Sequence, residues 1–244
     1  MIPLRDINPT RRVPLATVAL IAVNVLVFLY QQTLPEDEFQ ALVFRLGVMP
    51  AAVTGDFNRS AYTFVTSMFL HGDWLHVGSN MLYLWIFGNN VEDRLGLIRF
   101  VLFYFITGFA AAGAQIATAP RADIPMIGAS GAIAGVLGAY LVLFPNARVQ
   151  TLVFFFYFIR VIEVSAVWLL GWWFLLQVLS GFGSLAVPGM GGVAFFAHIG
   201  GFVAGYGLIR LFAASRPARR ALEDDLVIPT IDDDFRPRRD RDRW

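Results

Sequence analysis

The chain has 244 residues, of which 57% are hydrophobic and only 15% are charged, and its mean hydropathy is +0.61. Soluble domains carry about 25% charged residues, so this composition excludes a single water-soluble domain and favours a membrane protein. An aromatic content of 15% excludes disorder over most of the chain. The absence of cysteine excludes disulfides and a thiol nucleophile, and a net charge of +1 offers no electrostatic surface for nucleic acid.

Six apolar stretches, in chain order, have the length and composition of membrane-spanning helices. They are Pro14–Gln31, Trp74–Val91, Ile98–Thr118, Gly128–Phe144, Glu163–Phe182 and Ala194–Phe212. The block 149–180 could form one long helix, but Arg160 and Glu163 favour a split that leaves Val149–Ile162 as an interfacial segment. The sequence therefore predicts an all-α membrane protein, a bundle of six transmembrane helices.

The arginines predict the orientation of this bundle. With the N-terminus inside, eleven arginines lie at inner segments and three, Arg45, Arg59 and Arg121, lie in outer loops. We therefore expect both termini in the cytoplasm and the protein in the plasma or inner membrane. The long outer loop between helices 1 and 2, from Gln32 to Asp73, contains apolar residues that predict a partly amphipathic stretch at the membrane surface.

Charge divides the chain into three predicted parts. Residues 1–13 form a cytoplasmic N-terminal segment, and residues 14–214 form the membrane domain. Residues 215–244 contain eight arginines and eight acidic residues without apolar periodicity. Mixed charge of this kind is typical of a solvated, disordered tail.

The three histidines of the chain, His71, His76 and His198, all lie at or inside the predicted helices, where ionisable groups are costly and usually functional. In the predicted topology, His76, Asn80, Ser130 and His198 share one depth near the outer surface. Histidine is the usual base for a serine nucleophile, and His76 and Asn80, four residues apart, share a helix face from which both could bind one oxyanion. His71 is five residues before His76, so we expect it to face elsewhere and to be structural.

Small residues predict that helices 4 and 6 approach closely, as a serine–histidine pair on these two helices requires. They are Gly128, Gly131 and Gly135 in helix 4, and Gly201 and Gly205 in helix 6.

Together these motifs resemble the rhomboid family of intramembrane serine proteases, of the bacterial six-helix type, over about residues 63–207. The motifs are His71-x4-His76-x3-Asn80, the segment Gly88–Gly96, Gly128-Ala129-Ser130-Gly131, and Ala197-His198-x2-Gly201-x3-Gly205. The resemblance implies an endopeptidase that cleaves single-span transmembrane proteins and contacts membrane lipids, without a cofactor or metal. It implies Ser130 as nucleophile and His198 as general base. His76, Asn80 and the Ser130 backbone N–H would bind the oxyanion, and Glu92 and Arg94 would belong to a structural loop.

The chain departs from the family pattern at Ala134, where many members have a tyrosine that stacks on the catalytic histidine. Something else must therefore hold His198, either close packing that glycines allow or an aromatic residue from another helix. The tryptophans of helix 5, Trp168, Trp172 and Trp173, are predicted to face lipid, and Phe174 and Gln177 to border the path of the substrate. The glycine-rich loop Gly183–Gly192 is predicted to cap the site.

Two other functions fit parts of the pattern. A catalytically silent relative would bind and escort membrane segments, although such proteins are expected to lose the serine or histidine, and this chain has both. A metal-dependent protease or transporter would use the three histidines, but the His71–His76 spacing and the absence of an HExxH motif count against it. Ser130 alone could also be only a helix N-cap.

Overall fold

The computed structural model describes residues 1–155, 158–186 and 194–214. The predicted tail, residues 156–157 and most of the predicted cap loop lie outside the described residues. The N-terminal part contains strand β1 (Ile2–Asp6) and helix α1 (Leu15–Gln31). Four short helices and a 3-10 turn then fill the outer loop: α2 (Glu36–Leu46), α3 (Pro50–Gly55), α4 (Phe57–Ser60), α5 (Thr63–Thr66) and the turn Ser67–Phe69.

The rest of the described chain is built mainly of longer helical segments. Helix α6 (Trp74–Tyr83) continues through a π-helical turn (Leu84–Gly88) into α7 (Asn89–Leu95). The remaining elements, in chain order, are α8 (Leu97–Thr118), α9 (Ser130–Leu143), β2 (Arg148–Phe155), β3 (Phe158–Ser165), α10 (Ala166–Ala186) and α11 (Phe195–Ala214). Helices α8, α10 and α11 are long and apolar enough to cross a membrane, and α1 and α9 are shorter apolar helices. The protein is thus a mostly helical membrane protein, as its composition predicts.

The segment predicted as an interfacial lead-in is a β-hairpin. Strands β2 and β3 pair antiparallel, and β1 joins the free edge of β2, so the sheet has the order β1-β2-β3. Val149 and Thr151 alternate along β2 on the buried face, and both have no exposed surface. Glu163, predicted to start helix 5, therefore lies in β3, and α10 begins at Ala166.

Helix α9 lies at the centre of the described fold. Its residues from Ala132 to Tyr140 are all buried, which is expected of a short apolar helix that is enclosed on every side. It packs mainly against α8 and α11. The residue at its N-terminus is Ser130, so the most buried helix of the protein holds the predicted nucleophile in place.

Helix α1 is fastened to the bundle at both ends. At its start, the Glu92 carboxylate accepts hydrogen bonds from the backbone N–H groups of Ala16 and Thr17, at 2.9 and 2.7 Å. At its end, the Gln31 side-chain amide pairs with the backbone N–H and C=O of His71, both at 3.1 Å. Glu92, which the resemblance assigned to a structural loop, thus satisfies N–H groups that a helix start leaves without partners.

Candidate active site

Ser130 occupies the first position of α9, directly after a backbone turn at Gly128. Gly128 has φ +118°, a conformation that favours glycine. A Cβ atom at Gly128 would lie 2.7 Å from His76 Nε2 and 3.7 Å from Ser130 Oγ. The lack of a side chain at Gly128 therefore lets the His76 ring approach the serine, and residue 128 must be glycine for both conformational and steric reasons.

Ser130 and His198 meet across the contact of α9 with α11. Ser130 Oγ lies 2.8 Å from His198 Nε2, a normal hydrogen-bond distance. Added Cβ atoms at Gly201 and Gly205 would overlap the carbonyl oxygens of Gly131 and Gly135, respectively. The two helices thus approach to within backbone contact, which brings the serine and histidine side chains together.

The other ring nitrogen of His198 has a partner on α10. His198 Nδ1 lies 2.8 Å from Gln177 Oε1, and the Trp173 ring lies 5.9 Å from the His198 ring, tilted by 36°. Trp173 is half-buried here, so the prediction that it faces lipid is wrong, whereas Trp168 and Trp172 are exposed on the protein surface. The aromatic neighbour that Ala134 does not provide is thus Trp173.

The His76 ring on α6 completes a polar cluster with Ser130 and His198, and Asn80 follows on the same helix. Asp73 caps this helix by accepting a hydrogen bond from the His76 N–H at 2.7 Å, which fixes the helix start. Asn80, one turn later, is only 6% exposed, and its Nδ2 has no hydrogen-bond partner in the part of the chain that the structure describes. A buried amide without a partner is costly, so this group is available to bind an added oxygen atom.

His71 lies closer to this cluster than its spacing predicted. It precedes α6 instead of lying on it, and its ring centre is 4.9 Å from that of His76. The prediction that the two rings face apart is therefore wrong, because it assumed one continuous helix. Burial, and then the neighbouring His76, lower the pKa of His71 to about 4. Gln31 holds the His71 backbone, but neither ring nitrogen has a hydrogen-bond partner among the described residues, so a structural role for the side chain stays a prediction.

Two cavities lie at opposite ends of the helices. A small one, with a volume of about 50 Å³, is lined by Ser130 and Gly131 together with Met68, Ala111 and Ala197. A larger one, of about 540 Å³, is formed by the segment from Leu4 to Thr10 and by Trp85, Ile86 and Asn89, and touches none of the predicted site residues. Within the described ranges, no group of three or more histidine, cysteine or acidic side chains is arranged to hold a metal ion.

The sequence did not predict that Gln177 and Trp173 contact His198. The available signal was weak: Gln177 is the one amide in α10, four residues after Trp173 and hence on the same helix face. Which neighbour that face meets depends on how α10 packs against α11, and spacing along one helix does not reveal it.

Comparison of the sequence with known proteins identifies related chains. The family model described as the Rhomboid domain matches residues 58–215. The chain is 35% identical over 103 residues to the mitochondrial Rhomboid protein 1 of Saccharomyces cerevisiae, covering 41% of this chain and 30% of that protein. It is 27% identical over 143 residues to the Rhomboid protease AarA of Providencia stuartii, covering 52% of this chain and 50% of AarA.

A plant relative extends the comparison. The RHOMBOID-like protein 6, mitochondrial, of Arabidopsis thaliana is 31% identical over 143 residues, which cover 58% of this chain and 40% of that protein. The chain thus spans half or less of the length of each of these three relatives.

Proposed function

This chain belongs to the rhomboid family, and on that premise we propose that it is an intramembrane serine endopeptidase. It would hydrolyse peptide bonds of single-span transmembrane proteins near the outer end of the span. The observation that carries the proposal is the 2.8 Å hydrogen bond between Ser130 Oγ and His198 Nε2. A serine hydroxyl needs such a base, because it is a weak nucleophile while it keeps its proton.

The reaction follows from the positions of two side chains, those of Ser130 and His198. His198 Nε2 accepts the Ser130 proton as Oγ attacks the substrate carbonyl, and returns it to the leaving amine when the peptide bond breaks. Water, activated by the same nitrogen, then hydrolyses the acyl-enzyme and regenerates the Ser130 hydroxyl. Activity should fall on the acid side, because a protonated His198 no longer accepts the serine proton.

The negative charge that develops on the substrate carbonyl oxygen requires hydrogen-bond donors that are already positioned before the reaction. The first backbone N–H groups of a helix have no partner within the helix, so the Ser130 N–H at the start of α9 is one donor. The unpartnered Asn80 Nδ2 and the ring of His76, beside Gly128, are the others. We assign all three to the oxyanion.

The short α9 supports a site below the membrane surface. Its 14 residues span about 21 Å, less than the roughly 30 Å thickness of a bilayer core, so its N-terminus lies inside the bilayer if its other end reaches the opposite surface. Hydrolysis consumes a water molecule. The 50 Å³ cavity beside Ser130 exceeds the roughly 15 Å³ that one water molecule needs. In this proposal the chain crosses the membrane six times, with both termini on the arginine-rich, cytoplasmic side.

The membrane itself is also part of the proposal. We place the protein in the plasma or inner membrane, as the arginine distribution predicts. Some relatives are mitochondrial by name.

Reconstitution tests the function directly. The full chain in liposomes should cleave a tagged single-span substrate, and Ser130→Ala should abolish cleavage. Ser79→Ala is a matched control, since this exposed hydroxyl bonds only the His76 carbonyl within its own helix. A fluorophosphonate should label the protein and not the Ser130→Ala variant. Unchanged cleavage by Ser130→Ala would overturn the proposal, and substrate binding without cleavage would instead indicate the escort function.

A further inference from the structure

His198 has a hydrogen-bond partner on each side of its ring. Nε2 faces Ser130 on α9, and Nδ1 faces the amide oxygen of Gln177 on α10, each at 2.8 Å. The ring, carried by α11, is therefore held between two other helices.

The partner of Nδ1 decides which nitrogen carries the proton. A neutral imidazole has one N–H and one lone pair, and a carbonyl oxygen can only accept a hydrogen bond. With Gln177 Oε1 at Nδ1, the proton is on Nδ1, and the lone pair of Nε2 faces the Ser130 hydroxyl. The opposite tautomer would point an N–H at the serine and could not take its proton.

We propose that Gln177 is a positioning residue of the active site, which keeps His198 in the tautomer that activates Ser130. Serine proteases with a catalytic triad use a carboxylate in this place. Here the group is a neutral amide, which avoids burying a negative charge in the membrane. The inference rests on the proposed protease function for its kinetic consequences, but the tautomer is a property of the resting protein.

The packing of α10 against α11 gives Gln177 this role. Trp173, one turn earlier on the same face, covers the His198 ring and also lies 6.2 Å from the Phe202 ring. Phe174 stacks on Phe202, with ring centres 4.5 Å apart and an angle of 26°. These aromatic contacts hold α10 at a fixed rotation against α11, so the Gln177 amide reaches the imidazole.

Three substitutions separate positioning from simple packing. Gln177→Met keeps the length and apolar bulk but removes the acceptor. Gln177→Glu keeps an oxygen in reach of Nδ1. Leu176→Met is the control, because Leu176 is the preceding residue of the same helix and is 40% exposed. Equal melting temperatures in detergent show that each variant is folded.

The kinetic readout is kcat and KM for a tagged transmembrane substrate across pH. We expect Gln177→Met to lower kcat about 10-fold or more with little change in KM, the effect of losing one well-placed hydrogen bond. Gln177→Glu should recover activity relative to Gln177→Met. It should also move the acid limb of the pH profile upward, because a carboxylate favours the protonated ring. Leu176→Met should behave as wild type.

A spectroscopic readout tests the tautomer without catalysis. The chain has three histidines, so ring-¹⁵N-labelled protein gives a simple spectrum in which His198→Asn identifies the His198 signals. We expect the Nδ1–H form in wild type and a shift toward the Nε2–H form in Gln177→Met. Retention of the Nδ1–H form in that variant would overturn the inference, as would wild-type kcat with an unchanged pH profile. If the wild type does not cleave at all, the protease proposal fails, and the spectrum alone decides the role of Gln177.

Discussion

Glu92 holds Thr17 by two hydrogen bonds, one from the backbone N–H at 2.7 Å and one from the hydroxyl at 2.8 Å. Pro14, which precedes α1, has no side-chain acceptor for the first N–H groups of the helix. A buried carboxylate 75 residues along the chain therefore serves as the N-terminal cap of α1.

Glu92→Gln should destabilise the protein. The substitution removes the charge and one acceptor oxygen, and hydrogen bonds to a charged group contribute about 1.5–3 kcal/mol. Titration with denaturing detergent should show a loss in the free energy of unfolding of that size. Glu163→Gln is the control, since its 3.8 Å ion pair with Arg148 is exposed and such pairs contribute about 0–1 kcal/mol. Equal losses in the two variants would contradict the capping role.

Gly205→Ala should damage both stability and cleavage. A methyl group there overlaps the Gly135 carbonyl, so α11 must move away from α9, which separates His198 from Ser130. Overpacking of this kind costs about 1–3 kcal/mol. Gly207→Ala is matched to it, because a Cβ at Gly207, two residues later on α11, meets nothing within 4 Å. A thermal unfolding assay with parallel cleavage rates should separate the two variants, and similar behaviour would refute the backbone contact.

Asn80→Asp should lower kcat with little change in KM. The aspartate has the size of asparagine but offers the developing oxyanion no amide donor, and removing one such donor typically costs about 100- to 1,000-fold in kcat. Asn80→Ala should be similarly impaired, because it also lacks the donor. A KM effect alone, with kcat intact, would show that Asn80 binds the ground state instead.

The stability of the protein should fall as the pH rises from about 4 to about 6, because of Asp6. Burial raises the pKa of the Asp6 carboxyl from 3.8 to about 6, and the hydrogen bond from Tyr140 offsets this only in part. The folded protein thus binds the proton more tightly than the unfolded chain. Its stabilising effect is complete below about pH 4 and is lost as the pH rises through 6.

Asp6→Asn keeps a neutral side chain at every pH, so it should remove this part of the pH dependence. Melting temperatures of the two proteins should be similar near pH 4 and should diverge as the pH rises to 7, where Asp6→Asn is the more stable. Asp123→Asn, at an exposed site, should retain the wild-type slope. Parallel slopes for wild type and Asp6→Asn would contradict the role of Asp6.

Apolar length and composition predict helices well in this chain, and they predict strands poorly. The bounds of α1, α9 and α11 lie within two residues of the predicted ones, because an apolar stretch bounded by polar residues defines a helix in a membrane. The run after Arg148 is rich in β-branched and aromatic residues, which suits a strand or a buried helix equally. Its pairing with β1 joins residues far apart in the sequence, such as Ile2 and Leu152.

The polar site was likewise predicted only in part. Motif spacing predicted a group that includes Ser130, His76 and His198, and the side chains of these three lie together in the structure, whereas their catalytic roles stay predictions. The acceptor for His198 Nδ1 was missed, because it depends on the rotation of α10 about its own axis. His71 was misplaced because helical spacing was applied to it, although it precedes the helix, which begins at Trp74 as predicted.

The sheet has a consequence for the order in which the protein is made. Strand β1 is synthesised first, yet its partner β2 appears only after almost 150 further residues, and pairing over such a distance carries a large loop-closure cost. The contact between the buried Asp6 and Tyr140 therefore forms only after α9 has been synthesised. Attachment of β1 to the sheet should come late in biogenesis, and a domain fused ahead of β1 should delay that step more than it changes the equilibrium structure.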